Sequence, residues 1–126
     1  MEKKYTALVL EDEKPLQLAI KLKLESENFE VVTARSVEEA LSYLKQIPNI
    51  AIIWLDHYLL GRENGLDFVA NIKNTDVWNK IPIFVVSNTA SPDKVTSYIS
   101  LGVDKFYTKA EYRLDQIIGD IKKKLV

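Results

Sequence analysis

Five short apolar runs alternate with five stretches of helical periodicity along this chain, and that alternation narrows the possible folds more than any other feature. The runs are Tyr5–Leu10, Glu30–Ala34, Ile50–Leu55, Ile81–Ser87 and Asp104–Thr108. The first helical stretch, "KPLQLAIKLKLES", carries Pro15 in its first turn, where a missing N–H costs nothing. The second opens on a predicted capping box, Ser36 with Glu39. It repeats Val37, Ala40, Leu41, Leu44 and Ile47 at helical spacing until Pro48 stops it. The third, "GLDFVANIK", spaces Leu66, Val69 and Ile72 in the same way. Ser91-Pro92 reads as cap and first turn of the fourth, which ends before Gly102. The last places Leu114, Ile117, Ile118, Ile121 and Leu125 on one stripe, with Lys122–Lys124 at the negative end of the helix dipole.

The runs are almost continuously apolar, which marks strands buried on both faces. The expected class is therefore α/β, a parallel sheet with helices on each side. At 126 residues one domain spanning 1–126 is expected. No repeat, low-complexity tract or linker interrupts it. Seventeen basic residues against eighteen acidic ones leave a net charge of −1, without the basic surplus of a nucleic-acid binder. The absence of cysteine excludes disulfides and thiolate metal sites and is compatible with a cytoplasmic protein. The apolar run near the N-terminus is too short for a signal peptide, and no segment reaches the length of a membrane span.

In sheets of this kind functional groups gather beyond the C-terminal strand ends. There the first run gives Glu11 and Asp12, with Glu13 just beyond; the third gives Asp56, the fourth Ser87, and the fifth Thr108 and Lys109. If the first and third strands are neighbours, three carboxylates share one crevice, and their mutual repulsion calls for a cation. A hard divalent ion, Mg²⁺ in the first instance, takes such oxygen ligands together with water and phosphate oxygens. Lys109 and the Ser87 hydroxyl are groups that grip an oxyanion. The set describes a phosphoryl-transfer site with Asp56 as candidate nucleophile.

The segments "LVLEDE", "IIWLDHYLLG" with "NGLD", "PIFVVSNTA" and "GVDKFYTKA", in this order, resemble the receiver domain of bacterial two-component response regulators, of the chemotaxis-regulator type, over essentially the whole chain. The resemblance implies a flavodoxin-like three-layer sandwich, doubly wound around five parallel strands in the order 2-1-3-4-5. It makes Asp56 the phosphoacceptor. Asp12 directly, Glu11 through water, Asp56, and the backbone carbonyl of Tyr58 would hold Mg²⁺. Ser87 would bond the phosphoryl group, Lys109 would pair with it, and Ser87 and Phe106 would form the switch. The implied function is a signalling switch phosphorylated by a histidine kinase or phosphotransfer protein. It would be no enzyme beyond its own phosphorylation and dephosphorylation, and would bind neither nucleic acid nor membrane. A homodimer or effector would use the helix 4–strand 5–helix 5 face. The alternative is a binding module that keeps the fold and works without phosphate. A Mg²⁺-dependent phosphohydrolase ranks last, because Tyr58, two after Asp56, offers no acid or base.

Four departures from the family pattern stand out. Leu60 replaces a proline four after Asp56; Gly65 falls nine after it, where the family glycine falls eight after; Asn88 replaces a small residue; and Ala110 replaces a proline. Without that proline, Lys109–Ala110 is expected to be trans, since a non-proline cis bond costs roughly 2.5–4 kcal/mol. Tyr58, Asn88 and Thr89 should flank the approach of hydrolytic water, with Tyr58 as the shield. His57, the only histidine, is read as a partly exposed loop residue, because no second nitrogen or sulfur ligand accompanies it. Trp54 is expected in the core and Trp78 over the bottom of the sheet. Tyr98, Phe106, Tyr107 and Tyr112 are divided between core and partner surface.

Overall fold

The structure, a computed structural model, describes residues 4–88 and 91–125. Strands β1 (Tyr5–Leu10), β2 (Phe29–Ala34), β3 (Ile50–Leu55), β4 (Ile83–Ser87) and β5 (Lys105–Thr108) alternate with helices α1 (Lys14–Ser26), α2 (Val37–Gln46), α3 (Gly65–Lys73), α4 (Pro92–Leu101) and α5 (Leu114–Leu125). All strand pairs are parallel, and the order across the sheet is β2-β1-β3-β4-β5. This is the doubly wound, flavodoxin-like arrangement, with its winding reversing between β1 and β3.

Successive side chains of each strand enter opposite layers. Leu8, Leu10, Ile53, Leu55, Ile83 and Val85 join the core that holds the buried residues of α2, α3 and α4. Ala7, Val9, Ile52, Trp54, Phe84 and Val86 join the core that holds those of α1 and α5. That double burial explains the unbroken apolar runs. Trp54 is fully buried, and Trp78 packs against the first core and lines a groove with Leu44, Ile47, Pro48 and Ile50 at the N-terminal ends of the strands. Among the described residues, no helix is long and apolar enough to cross a membrane.

Local differences from expectation have simple causes. Strand β4 begins at Ile83, because Pro82 has no N–H to give the ladder; its carbonyl still accepts from Ile53 N at 3.0 Å. Asp104 stays outside β5 and accepts the Ile83 N–H at 3.0 Å through its carboxylate. The Ser36 box closes on one side only. The Ser36 hydroxyl accepts Glu39 N at 3.2 Å, whereas the Glu39 carboxylate reaches past Ser36 to Arg35 N at 2.7 Å. The complete capping box is Asn64 with Asp67, at 2.9 and 3.1 Å, and it fixes where α3 starts.

Candidate functional site

The parallel order places the ends of β1 and β3 side by side, and the Asp56 N–H donates to the Leu10 carbonyl at 2.9 Å. One carboxylate oxygen from each of Glu11, Asp12 and Asp56 then lies within 4.8 Å of the others. Glu11 and Asp56 are buried, and Asp12 is half-buried. Lys109, carried past the end of β5, donates from Nζ to Glu11 Oε1 at 3.0 Å and lies 3.7 Å from Asp56 Oδ1. Burial, then the Asp56 charge, pushes Glu11 up to about 7, although Lys109 pulls the other way. Burial likewise raises Asp56, against the opposing pull of Lys109 and of the His57 N–H, which donates to Asp56 Oδ1 at 2.9 Å.

Ser87 ends β4 fully buried, and its hydroxyl has no hydrogen-bond partner among the described residues. Its carbonyl accepts the Lys109 N–H at 2.8 Å, which keeps the two residues together. Phe106 is half-buried, and its ring centroid lies 5.7 Å from that of Tyr98. The Lys109–Ala110 bond is trans, as expected.

Several contributors lay outside the sequence reading. Arg35 donates from Nε and Nη2 to the Asp12 carbonyl, at 3.0 and 2.8 Å. The Arg35 carbonyl in turn accepts the Leu60 N–H at 2.9 Å, and Ser36 and Leu60 form a parallel bridge. A proline at position 60 could not make that bond, so the departure at Leu60 ties the longer loop to the end of β2. An arginine directly after a strand that ends at the crevice was the available signal. Gln17 Nε2 donates to the Glu11 carbonyl at 2.9 Å and the Ala34 carbonyl at 3.3 Å.

His57 corrects the expectation of a partly exposed loop residue. It is buried, and its Nδ1 lies 2.7 Å from the hydroxyl of fully buried Tyr98. Tyr58 is exposed; its ring meets His57 edge-on at 4.8 Å, and the Lys94 ammonium lies 4.8 Å from its centroid. Asn88 is exposed, and Thr89 lies outside the described residues. Of the aromatic group, Tyr98 and Tyr107 are core, whereas Tyr112 is exposed and packs edge-on against Tyr107.

This fold agrees with the comparisons. The family model for the response regulator receiver domain matches residues 7–122, and the chain belongs to that family. The two-component response regulator ORR11 of Oryza sativa subsp. indica is 27% identical over 86 residues, 68% of this chain and 58% of that protein. The match therefore spans little more than half the length of this curated relative. Among solved structures, a response regulator receiver protein from Pseudomonas putida superposes with a TM-score of 0.89 at 26% identity, over 98% of this chain and 99% of that one. The phosphorylated cyanobacterial phytochrome response regulator RcpA gives 0.81 at 27% identity, over 96% and 91%. CheY4 of Vibrio cholerae gives 0.86 over 96% and 98%, and at 18% identity it shows the shared fold alone.

Proposed function

We propose that this receiver domain is a phosphoryl-accepting switch whose acceptor is Asp56, served in the cytoplasm by a histidine kinase or phosphotransfer protein. The observation that carries the reading is the convergence of the Glu11, Asp12 and Asp56 oxygens within 4.8 Å, with the Lys109 ammonium 3.0 Å from Glu11 and 3.7 Å from Asp56. An all-oxygen, partly desolvated donor set suits a hard divalent cation, and the upward shift of Glu11, set first by burial and then by the Asp56 charge, is one that such an ion would oppose. Asp12 and Asp56 would hold Mg²⁺ directly, with the Tyr58 carbonyl as a further ligand and Glu11 acting through water. The ion would neutralise charge on the transferring phosphoryl oxygens.

The chain's own groups do the remainder. An Asp56 carboxylate oxygen attacks the phosphorus of a phosphohistidine; the P–O bond forms as the P–N bond breaks, and the electron pair stays on the imidazole. Lys109 exchanges its carboxylate partners for a phosphoryl oxygen, and the unpartnered Ser87 hydroxyl donates to another. Withdrawal of Ser87 and Lys109 toward the phosphoryl group biases a two-state equilibrium, with Phe106 following, and alters the α4–β5–α5 face, where Ile99 and Tyr112 are exposed to an effector or second copy. A phosphorylated state recorded for RcpA, 27% identical, supports the assignment. The test is NMR of the chain with beryllofluoride and Mg²⁺. Shifts at Asp56, Ser87 and Phe106 are expected in the natural sequence and absent in Asp56→Asn; equal shifts in both would refute Asp56 as acceptor.

A further inference from the structure

The loop that leaves β3 carries more than the acceptor. Its next two residues each reach α4: the Tyr98 hydroxyl meets His57 Nδ1 at 2.7 Å, and Lys94 Nζ lies 3.4 Å from the Tyr58 hydroxyl. Lys94 and Tyr98 are four apart, so they present one face of α4 to the loop. The His57–Tyr98 contact is the buried one. The ring nitrogen and the phenol share one hydrogen bond, whose direction follows the His57 tautomer.

The backbone of His57 is fixed as firmly as its ring. Its N–H donates to the Asp56 carboxylate at 2.9 Å, and its carbonyl accepts the Gly65 N–H at 2.9 Å. Gly65 also gives the phenol its room, because a Cβ there would stand 2.2 Å from the Tyr98 hydroxyl. On its other side Tyr98 meets Phe106, with ring centroids 5.7 Å apart. A displacement of residues 56–58 is therefore passed to α4 by a hydrogen bond, without needing the Ser87 hydroxyl.

We propose that His57 and Tyr98 are positioning residues that couple the cation-binding loop to helix α4, along a route that does not pass through the Ser87 hydroxyl. The inference rests on the proposed reading, in which the Tyr58 carbonyl and the Asp56 carboxylate bind Mg²⁺. A contact shared by two sites makes their coupling reciprocal, so whatever holds the loop also holds α4.

Mg²⁺ alone, without any phosphoryl mimic, isolates this route. In the natural sequence, Mg²⁺ should move the amide resonances of Asp12 and Asp56, the His57 Nδ1 resonance, and those of residues 94–101. In Tyr98→Phe, which keeps the ring and loses only the hydroxyl, Asp12 and Asp56 should still respond while residues 94–101 lose most of their shift. Equal α4 shifts in both proteins would overturn the coupling and leave the metal reading intact. So would a His57 Nδ1 resonance that ignores Mg²⁺ while Asp12 and Asp56 respond, a measurement that needs no variant. No response at Asp12 and Asp56 in the natural sequence would overturn the metal reading and this inference with it.

Discussion

The two halves of the crevice are built on opposite terms. On the β1–β2 side, the backbone around the acidic pair is held by side-chain and main-chain bonds. Arg35 holds the Asp12 carbonyl twice, the Leu60 N–H holds Arg35, Gln17 bridges Glu11 and Ala34, and the Glu13 N–H donates to the Glu11 carboxylate at 3.2 Å. On the β4 side, the Ser87 hydroxyl is buried with no partner among the described residues, and Lys109 stretches across to carboxylates of the other half. A buried polar group without a partner keeps a free-energy deficit that an incoming acceptor removes. On the proposed reading, the half suited to a cation is thus fixed in advance, and the half suited to a phosphoryl group would gain its bonding only when that group arrives.

The largest expected effect comes from emptying the fixed half. Asp12→Ala should abolish metal-dependent phosphorylation, on the order of a hundredfold or more, while circular dichroism stays unchanged. Normal phosphate acceptance by that variant would break the comparison at its root. Gly65→Ala should come next. Its Cβ would stand 2.2 Å from the Tyr98 hydroxyl and 3.1 Å from the Asp56 carbonyl, so a loss of about 2–3 kcal/mol in urea unfolding is expected. Combining it with Tyr98→Phe should recover part of that loss and leave the backbone conflict.

Burial of the crevice carboxyls, together with their mutual repulsion, should appear as a pH dependence. Burial, then the Asp56 charge, pushes Glu11 up to about 7 in the folded chain, against 4.5 for an ordinary glutamate. Between those values the folded state binds more protons than the unfolded one, so stability falls as pH rises. Without divalent ions the fall should be about 2 kcal/mol between pH 4.5 and 7, and Asp56, shifted in the same direction, adds to it. Glu11→Gln should flatten most of the slope. A stability that rises over this range would mean that Lys109 outweighs burial.

Much of this was legible in the sequence. The strand runs were readable because each is buried on both faces, and a continuous apolar run survives small errors of boundary. Asp12, Asp56, Ser87 and Lys109 were readable because a parallel sheet collects its strand ends, whatever the loop lengths. The contacts of Arg35 and of His57 with Tyr98 were not. Each joins residues 23 or 41 positions apart through a side chain whose direction is set by packing rather than by periodicity. The half-closed Ser36 box has a related cause, since the Glu39 carboxylate had two backbone N–H groups within reach and took Arg35.

The smallest effects test the contrast most directly, because similar deletions on the two sides should differ in their cost. Arg35→Ala removes two donors from the Asp12 carbonyl and should cost about 1–2 kcal/mol, of which Arg35→Lys recovers little, because an ammonium cannot reproduce the paired N–H groups. Ser87→Ala removes a hydroxyl that bonds to none of the described residues. The volume change is slight, and the desolvated oxygen disappears with the substitution. Stability should therefore stay within about 0.5 kcal/mol of the natural sequence or rise. The same variant should blunt the beryllofluoride response at Phe106, since the group that would bond the phosphoryl oxygen has gone. If Ser87→Ala instead loses as much stability as Arg35→Ala, the hydroxyl has a partner in solution. The β4 side is then as satisfied as the β1–β2 side, and Ser87 would have to break a bond before it could make one.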